Sequence, residues 1–147
     1  MAVAVYSGSF NPFTIGHLDI LLRGLALFDR VIIVAGVNTA KAATGNSAEI
    51  LQCKPVAELV AKNRVEVIEW SGLTVEAARA HDAAFLLRGA RSATDFDYER
   101  NMADINRILA PDIDTVILPA RPELAMISSS MVRELKAFGA DTSHFTP

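Results

Sequence analysis

The sequence predicts an α/β protein with a five-stranded parallel sheet and helices on both faces, in a doubly wound, Rossmann-like arrangement. Two observations predict this class. Five short runs rich in Val, Ile and Leu alternate with segments of helical periodicity, and strands that alternate with helices pair in parallel. The runs are also continuously apolar, as expected of strands covered on both faces. A chain of 147 residues fits a single domain, 1–147.

The first three predicted elements are two strands with a helix between them. Residues 3–6 form an apolar run that ends at Ser-Gly, and residues 30–35 (RVIIVA) form the second strand. Residues 14–28 carry apolar side chains at steps of three and four, which indicates one buried helix face. Thr14 is a suitable N-cap for this helix.

The middle of the chain predicts a loop, two helices and one strand. Residues 37–46 are small and polar and predict the loop. Residues 47–61 have a helical pattern in which Pro55 would introduce a bend. Residues 65–70 predict the third strand, and residues 73–80 predict a short helix after it.

The last four elements continue the alternation. Residues 84–87 predict the fourth strand, and residues 92–109 predict a long helix that stops before a proline. Residues 115–118 predict the fifth strand. Residues 128–138 predict a final helix that stops at a glycine.

The composition narrows the classes of partner. The net charge is −3 and the pI about 5.6, whereas a binder of nucleic acid normally carries a basic excess. We therefore expect no nucleic-acid partner. No apolar run reaches the length that spans a bilayer, no signal peptide is evident, and Cys53 is the single cysteine. We expect a cytoplasmic protein with no membrane partner and no disulfide.

The first candidate site follows the first predicted strand. Gly8 and Ser9 stand between this strand and a helix, where a glycine lets the backbone approach a phosphate and the free N–H groups of the helix attract an anion. His17 lies in the first turn of that helix and can donate to the same anion. Taken alone, this is also the pattern of an ordinary strand–helix turn.

Two further candidate sites also lie at the carboxyl ends of predicted strands, where doubly wound sheets bind ligands. Arg88-Gly89-Ala90-Arg91 places two guanidinium groups after the fourth strand, and guanidinium forks match phosphate oxygens. Ser128-Ser129-Ser130 begins the last helix and offers hydroxyls and amides to an anion. The ordinary alternatives are a solvated basic pair and a serine N-cap.

Several other polar and aromatic residues carry weaker signals. Lys41 could reach a phosphate from the loop after the second strand, although an exposed lysine is the stronger interpretation from its residue type alone. Asp95 to Glu99 follows the arginines and predicts a capped helix with an acidic face; within it, Phe96 and Tyr98 are expected in the core. His81 and His144 lack ligand-like spacing, and no metal-binding cluster is evident.

The residues 8–17 (GSFNPFTIGH) match the nucleotidyltransferase pattern in which Thr or His stands two residues before Gly-His. Together with the RGAR segment at 88–91, DFDYE at 95–99 and ISSS at 127–130, they resemble the bacterial phosphopantetheine adenylyltransferase family along essentially the whole chain. The resemblance implies transfer of the adenylyl group of ATP to 4′-phosphopantetheine, which gives dephospho-coenzyme A and pyrophosphate.

The resemblance also implies roles for individual residues. The catalytic residues would be His17, Lys41 and Arg91. The residues implied for ATP binding are Ser9, Phe10, His17, Gly89, Ala90, Arg91, Glu99, Leu124, Ala125, Met126, Ile127, Ser128, Ser129 and Ser130. The residues implied for acceptor binding are Ser9, Lys41, Leu73, Thr74, Arg88, Asn106 and Glu134. Mg²⁺ carried with ATP, feedback binding of coenzyme A and a homohexamer are further expectations from the resemblance.

Three alternative functions stay open at this point. Asn11 is typical of nicotinamide-mononucleotide adenylyltransferases, which share the first motif. A cytidylyltransferase would share it too. The third alternative is a nucleotide-binding module without catalysis, because residues 42–51 lack the aromatic residue and the arginine that the family usually carries there.

Overall fold

The structure, a computed structural model, describes residues 1–37 and 46–147. The predicted loop at 37–46, with Lys41, therefore falls almost entirely outside the described residues. The strands are β1 (Val3–Gly8), β2 (Arg30–Gly36), β3 (Val65–Trp70), β4 (Phe85–Ala90) and β5 (Asp114–Pro119). The helices are α1 (Ile15–Gly24), α2 (Ser47–Gln52), α3 (Lys54–Ala61), α4 (Thr74–Ala80), α5 (Ala93–Leu109) and α6 (Ser129–Ala137), with short 3-10 helices at Pro122–Leu124 and Ser143–Phe145.

The five strands form one parallel sheet in the order β3-β2-β1-β4-β5. In the register of this sheet, Tyr6 of β1 lies between Ile33 of β2 and Leu87 of β4. The chain first adds strands on one side of β1 and then crosses to its other side, so the order reverses between β1 and β4. The doubly wound fold is confirmed, and the reversal creates the crevice in which such sheets bind ligands.

Two apolar layers cover the two faces of the sheet. On one face, α1 contributes Leu21 and α3 contributes Val56, both fully buried against side chains such as Ile33. On the other face, Val75 of α4 packs with Val5 and its neighbours. The strands are therefore buried from both sides, as their continuous apolar runs predicted. Within residues 1–37 and 46–147, no helix is both long and apolar enough to cross a bilayer.

Helix α1 packs closely on β4 because two glycines, Gly24 and Gly89, face the contact. A Cβ added to Gly24 would come within 2.4 Å of Leu87 Cδ2, and one added to Gly89 would come within 3.0 Å of Ile20 Cγ1. Any larger residue at Gly24 would collide with a side chain that is itself fully buried. This close packing fixes the position of the α1 N-terminus at the carboxyl edge of the sheet.

Two predicted helix boundaries were wrong. The helix predicted at 14–28 ends at Gly24. Arg64 donates to the carbonyls of Leu25 and Phe28. In a longer helix these carbonyls would accept hydrogen bonds from later backbone N–H groups instead. The helix predicted at 47–61 is two helices, α2 and α3, separated by the extended residue Cys53. Pro55 stands in the first turn of α3, where proline is well tolerated, so it starts a helix instead of bending one.

Candidate active site

A cavity of about 340 Å³ opens at the carboxyl edge of the sheet, between β1 and β4. Three stretches of the chain line it: the end of β1 with the start of α1, the end of β4 with the start of α5, and the segment that leads from β5 into α6. The lining residues are Tyr6, Ser7, Gly8, Ser9, Phe10, Thr14, Gly16, His17, Ile20, Arg88, Gly89, Ala90, Arg91, Asp95, Tyr98, Glu99, Ala120, Leu124, Ile127, Ser128, Ser129 and Ser130.

His17 is held by a reciprocal capping interaction with Thr14. The Thr14 hydroxyl accepts a hydrogen bond from the His17 backbone N–H at 3.3 Å, and the Thr14 backbone N–H donates to His17 Nδ1 at 2.9 Å. The N-cap predicted at Thr14 is confirmed. Since Nδ1 accepts a hydrogen bond, the proton of the neutral ring is on Nε2. The imidazole therefore offers a single N–H donor on the side away from Thr14.

The charge state of His17 is set by its surroundings. Burial lowers the pKa of the imidazole, and the positive charges of Arg88 and Arg91 lower it further, from the ordinary value of 6.5 to about 4. His17 is therefore uncharged near neutral pH. It can stabilise a developing negative charge as a hydrogen-bond donor without carrying a charge of its own.

Aromatic side chains surround the His17 ring. Phe13 stacks on it with ring centroids 5.5 Å apart, and Phe10 meets it edge-on at 5.0 Å. Tyr6 packs edge-on against Phe10, and burial raises the pKa of the Tyr6 hydroxyl above its ordinary value. Phe10 is only 2% exposed and has a φ of 48°. Any contact that Phe10 makes with a ligand must therefore come mainly from its backbone.

Arg88 and the buried Glu99 form an ion pair that lines the cavity. Arg88 Nε donates to Glu99 Oε2 at 2.8 Å and Arg88 Nη2 donates to Oε1 at 2.7 Å. Arg88 Nη1 also donates to the carbonyl and the hydroxyl of Ser7. Burial acts to lower the pKa of Arg88, but the bonds and charge of Glu99 outweigh it and raise the pKa above its ordinary value. The guanidinium is thus fixed in place and permanently charged.

Arg91 lines the cavity from the turn between the end of β4 and the start of α5. Its backbone N–H donates to Asp95 Oδ2 at 3.0 Å, and its Nε lies 3.6 Å from the same oxygen. Ser92 caps α5 by accepting from the Asp95 N–H. The Arg91 side chain is 44% exposed, so it can turn toward an anion at modest cost.

The N-terminus of α6 closes the cavity opposite β4. Ser128 is the N-cap and accepts from the Met131 N–H at 3.1 Å. Ser129 Oγ donates to the Pro12 carbonyl at 2.8 Å, which ties α6 to the loop after β1. The capping bond uses only one of the first N–H groups of α6. The amides of Ser129 and Ser130, which have no partner within the helix, are left for a ligand.

A second cavity of about 190 Å³ lies on the other side of the Arg88–Glu99 pair. It is lined by Ser7, Thr74, Leu86, Arg88, Tyr98, Glu99, Met102, Ala103, Asn106 and Thr115. Four residues, Ser7, Arg88, Tyr98 and Glu99, line both cavities. The two spaces therefore share one wall, with a fixed guanidinium in it.

Most residues predicted for the site come together at these cavities. Of the residues predicted for ATP, all line the first cavity except Ala125 and Met126, and Met126 is 75% exposed. Of those predicted for the acceptor, Ser9 lines the first cavity, and Thr74, Arg88 and Asn106 line the second. Leu73 and Glu134 are exposed and line neither. Lys41 lies outside the described residues.

Some features of the site were not predicted from the sequence. The expectation that Phe96 and Tyr98 belong to the core was wrong, since they are 44% and 61% exposed and Tyr98 lines both cavities. Met102 of the second cavity was not predicted from the sequence to belong to the site. It stands four residues after Tyr98 and four before Asn106, so the helical spacing places all three on one side of α5.

Comparison with known proteins assigns the chain to a family. Residues 5–135 match the family model described as cytidylyltransferase-like. A phosphopantetheine adenylyltransferase of Porphyromonas gingivalis is 48% identical over 145 residues, which cover 99% of this chain and 94% of the relative. Those of Rhizobium etli and Coxiella burnetii are 40% identical, with 92% and 90% of the relatives covered. The chain belongs to the phosphopantetheine adenylyltransferase family. It is a nucleotidyltransferase, as the motif at 8–17 predicted.

Solved structures share the fold of this family member. A protein from Vibrio parahaemolyticus described as a nicotinate-nucleotide adenylyltransferase has a TM-score of 0.67 at 15% identity, covering 99% of this chain and 87% of its own. A bifunctional NMN adenylyltransferase/ADP ribose pyrophosphatase from Francisella tularensis has a TM-score of 0.62 at 14% identity, covering 99% and 44%. At these identities the likeness concerns the fold alone, whereas the relatives with 40–48% identity are phosphopantetheine adenylyltransferases.

Proposed function

We propose that this protein transfers the adenylyl group of ATP to 4′-phosphopantetheine and releases pyrophosphate and dephospho-coenzyme A, a step of coenzyme A biosynthesis. The observation that carries the proposal is the pair of cavities separated by Arg88 and Glu99. One cavity contains His17 and two helix N-termini, which suits a triphosphate. The other is smaller, and beyond the Arg88–Glu99 pair its lining consists of apolar, hydroxyl and amide side chains, which suits an uncharged arm with a few polar groups.

ATP is assigned to the first cavity. The amides of Ser129 and Ser130 and the Arg91 side chain would hold its phosphates, and the segment from Leu124 to Ile127 would lie along the nucleoside. Gly89 and Ala90 would contribute backbone at the end of β4, and Ser9 and Phe10 at the end of β1. Glu99 has both carboxylate oxygens on Arg88, so its effect on ATP would be exerted through that pair.

Phosphopantetheine is assigned to the second cavity, with its phosphate directed at the shared wall. Arg88 and Ser9 would contact the phosphate, with Lys41 reaching it from the loop after β2. Thr74 and Asn106 would contact the arm inside the cavity. Leu73 and Glu134 are exposed and line neither cavity, so only an extended or flexible part of the acceptor could meet them. Coenzyme A carries the same arm, so feedback binding would use the same space.

The reaction would proceed by attack of an acceptor phosphate oxygen on the α-phosphorus of ATP. One P–O bond forms, the bond from the α-phosphorus to the bridging oxygen breaks, and pyrophosphate carries away the electron pair. The nucleophile is already an anion, so no base is needed. His17 is suited to donate, since Nδ1 is engaged by Thr14 and the ring is neutral. It would stabilise charge on the α-phosphate, with Arg91 and the α6 amides assisting.

Mg²⁺ fits this site only as a companion of ATP. Among residues 1–37 and 46–147, no group of three or more His, Cys, Asp or Glu residues could hold a metal ion. The two carboxylates of the first cavity, Asp95 and Glu99, already accept bonds from Arg91 and Arg88. The ion would therefore be held by the triphosphate oxygens and neutralise part of their charge, as Mg²⁺ does in other phosphoryl-transfer sites.

We further propose that the protein assembles as a homohexamer in the cytoplasm. Helix α5 buries a single residue, Glu99, and exposes Tyr98, Met102, Ile105 and Leu109 at steps of four, three and four. An exposed apolar face of this regularity is typical of a protein interface. Tyr98 and Met102 also line the second cavity, so a neighbouring subunit on this face would help to cover the acceptor.

The choice of acceptor and nucleotide provides the test. The protein is incubated with Mg²⁺ and ATP, and pyrophosphate release is measured with 4′-phosphopantetheine or with nicotinamide mononucleotide. We expect release with phosphopantetheine only, and none when CTP replaces ATP. Release with nicotinamide mononucleotide alone would replace the proposal by the pyridine-nucleotide reaction. ATP binding without release for either acceptor would indicate a non-catalytic module.

A further inference from the structure

The segment between β5 and α6, residues 120–128, forms one side of the first cavity through Ala120, Leu124, Ile127 and Ser128. We call it the strap. Its regular structure is limited to the 3-10 helix Pro122–Leu124 and three turn hydrogen bonds, which the N–H groups of Leu124, Ala125 and Ile127 donate to the carbonyls of Arg121, Pro122 and Leu124. A segment with so few internal bonds depends on outside contacts for its position.

One of these outside contacts is a carboxylate on α1. Asp19 Oδ1 accepts from Arg121 Nε at 2.9 Å, and Arg121 is the N-cap residue immediately before the 3-10 helix of the strap. The two residues are 102 positions apart in the chain. Asp19 stands two residues after His17 on the same helix, so the bond connects the helix that carries His17 directly to the strap.

The second oxygen of Asp19 completes the connection. Asp19 Oδ2 accepts from Arg23 Nη1 at 3.2 Å, and the same Nη1 donates to the Pro119 carbonyl at 2.9 Å. Pro119 is the last residue of β5, immediately before the strap. Pro119 also pairs with Ala90 in the sheet, and the Ala120 N–H donates to the Ala90 carbonyl. Asp19 therefore binds the two arginines that connect α1 to the start of the strap, just beyond the point where the sheet holds the chain.

Charge explains why a carboxylate is needed at this position. Asp19 is the only acidic group that the described hydrogen bonds place on Arg23 or Arg121. Without it, two guanidinium groups would converge with no counter-charge, and each would move toward solvent. The Arg121 side chain is 53% exposed, so it could leave at little cost and take the strap with it.

We infer that Asp19 is a positioning residue for nucleotide binding, which holds the strap against α1 so that strap, His17 and the α6 amides face the same space. The inference rests on the proposed function in assigning a nucleotide to the first cavity. It concerns ATP affinity and not the chemical step, because Asp19 does not line the cavity. The Arg121 side chain is 53% exposed and that of Asp19 is 18% exposed, and an ion pair that is partly open to solvent adds little to the free energy of unfolding, so ATP binding and stability can be measured separately.

The experiment measures ATP affinity by titration calorimetry, which needs no turnover, on Asp19→Ala, Arg121→Gln and the double variant. We expect each single variant to weaken ATP binding roughly 3- to 30-fold, the range seen when a coupling element is removed. The double variant should be no weaker than the worse single one, because both changes break the same bond. Under turnover, KM for ATP should rise while KM for phosphopantetheine stays constant.

A matched pair elsewhere provides the control. Arg79 and Asp112 form an exposed ion pair at 2.8 Å, remote from both cavities. Asp112→Ala and Arg79→Gln should leave ATP affinity unchanged. Unchanged ATP affinity in both Asp19→Ala and Arg121→Gln would overturn the inference, as would additive losses in the double variant. If the wild type binds ATP but releases no pyrophosphate with any acceptor, the proposed function fails while Asp19 is still judged by ATP affinity.

Discussion

The Thr14 backbone N–H donates to His17 Nδ1 at 2.9 Å, and the Thr14 hydroxyl accepts from the His17 backbone N–H at 3.3 Å. This reciprocal contact assigns the ring proton to Nε2 and fixes the ring at the start of α1. The histidine is thereby prepared as a neutral donor before any ligand arrives, which is the condition under which a donor stabilises a transition state most effectively.

Replacing His17 by alanine tests this role. We expect kcat to fall by about 10²–10⁴, the range for losing one stabilising donor, with little change in ATP affinity. Pyrophosphate release under saturating substrates measures kcat. His81→Ala is the matched control, since His81 is a helix-end histidine whose Nδ1 lies 2.9 Å from the Ala77 carbonyl. Unchanged turnover in His17→Ala would remove the imidazole from the mechanism.

The low pKa of His17 predicts a pH dependence. Burial, with Arg88 and Arg91, lowers this pKa to about 4, so the His17 ring resonances should not titrate between pH 8 and about 5.5 in an NMR experiment. Between the ordinary pKa of 6.5 and about 4, the unfolded chain binds a proton at this position and the folded one does not. His17 therefore reduces stability as the pH falls through that window. Titration near 6.5 would contradict the neutral-donor assignment.

Breaking the Arg88–Glu99 pair should affect both the stability of the fold and the binding of phosphopantetheine, and a second substitution should restore only the stability. Arg88→Ala leaves Glu99 buried without its counter-charge, and we expect a loss of about 3 kcal/mol in the free energy of unfolding. The double variant Arg88→Ala/Glu99→Gln no longer carries the buried negative charge of Glu99, so it should recover part of the lost free energy of unfolding. KM for phosphopantetheine should stay raised in both variants. Urea unfolding and steady-state kinetics measure the two effects, and a double variant as unstable as the single one would contradict this explanation.

The exposed face of α5 predicts a change in assembly. Ile105→Glu places a charge in the middle of this exposed apolar face and should shift the protein from the proposed hexamer to smaller species, measured by light scattering after size exclusion. Arg100→Glu, on the opposite side of the same helix, changes the charge without altering the exposed apolar face and should leave the assembly intact. Hexamers in Ile105→Glu at micromolar concentration would show that another surface forms the contact.

Lys41 predicts an effect confined to the acceptor. Lys41→Ala should raise KM for phosphopantetheine, because it removes a positive charge proposed to hold the acceptor phosphate. ATP affinity should change little. Lys54→Ala, which removes an exposed lysine from α3, serves as the control. A normal KM for phosphopantetheine in Lys41→Ala would contradict the role.

The fold could be predicted because its signals are local. Each strand is a short apolar run, and the N-caps Thr14, Ser92 and Ser128 act within one helical turn. Boundaries were less well predicted where distant residues intervene. The end of α1 depends on Arg64, which is 39 positions from Leu25, and no pattern within the helix itself contains that information.

The sequence predicted which residues belong to the site better than it predicted how those residues are arranged. The motifs identified Arg88 and Glu99, but the bidentate bond between them depends on how α5 packs on β4. Phe96 and Tyr98 were wrongly predicted to lie in the core. Apolar periodicity indicates that a helix face packs against something, but it does not identify the partner. The partner of such a face can be the core of the same protein or the surface of a second chain, and a single sequence shows the same pattern in both cases.

The shared wall formed by Arg88 and Glu99 has a consequence for the order of events. A ligand in either cavity that draws on the Arg88 guanidinium alters the charge presented to the other cavity. The two ligands must therefore be thermodynamically coupled, and the factor by which ATP changes acceptor affinity equals the factor by which the acceptor changes ATP affinity. If both proposed ligands use the Arg88 guanidinium, a change in the binding of one would then alter the binding of the other through this charge alone, without any movement of the fold.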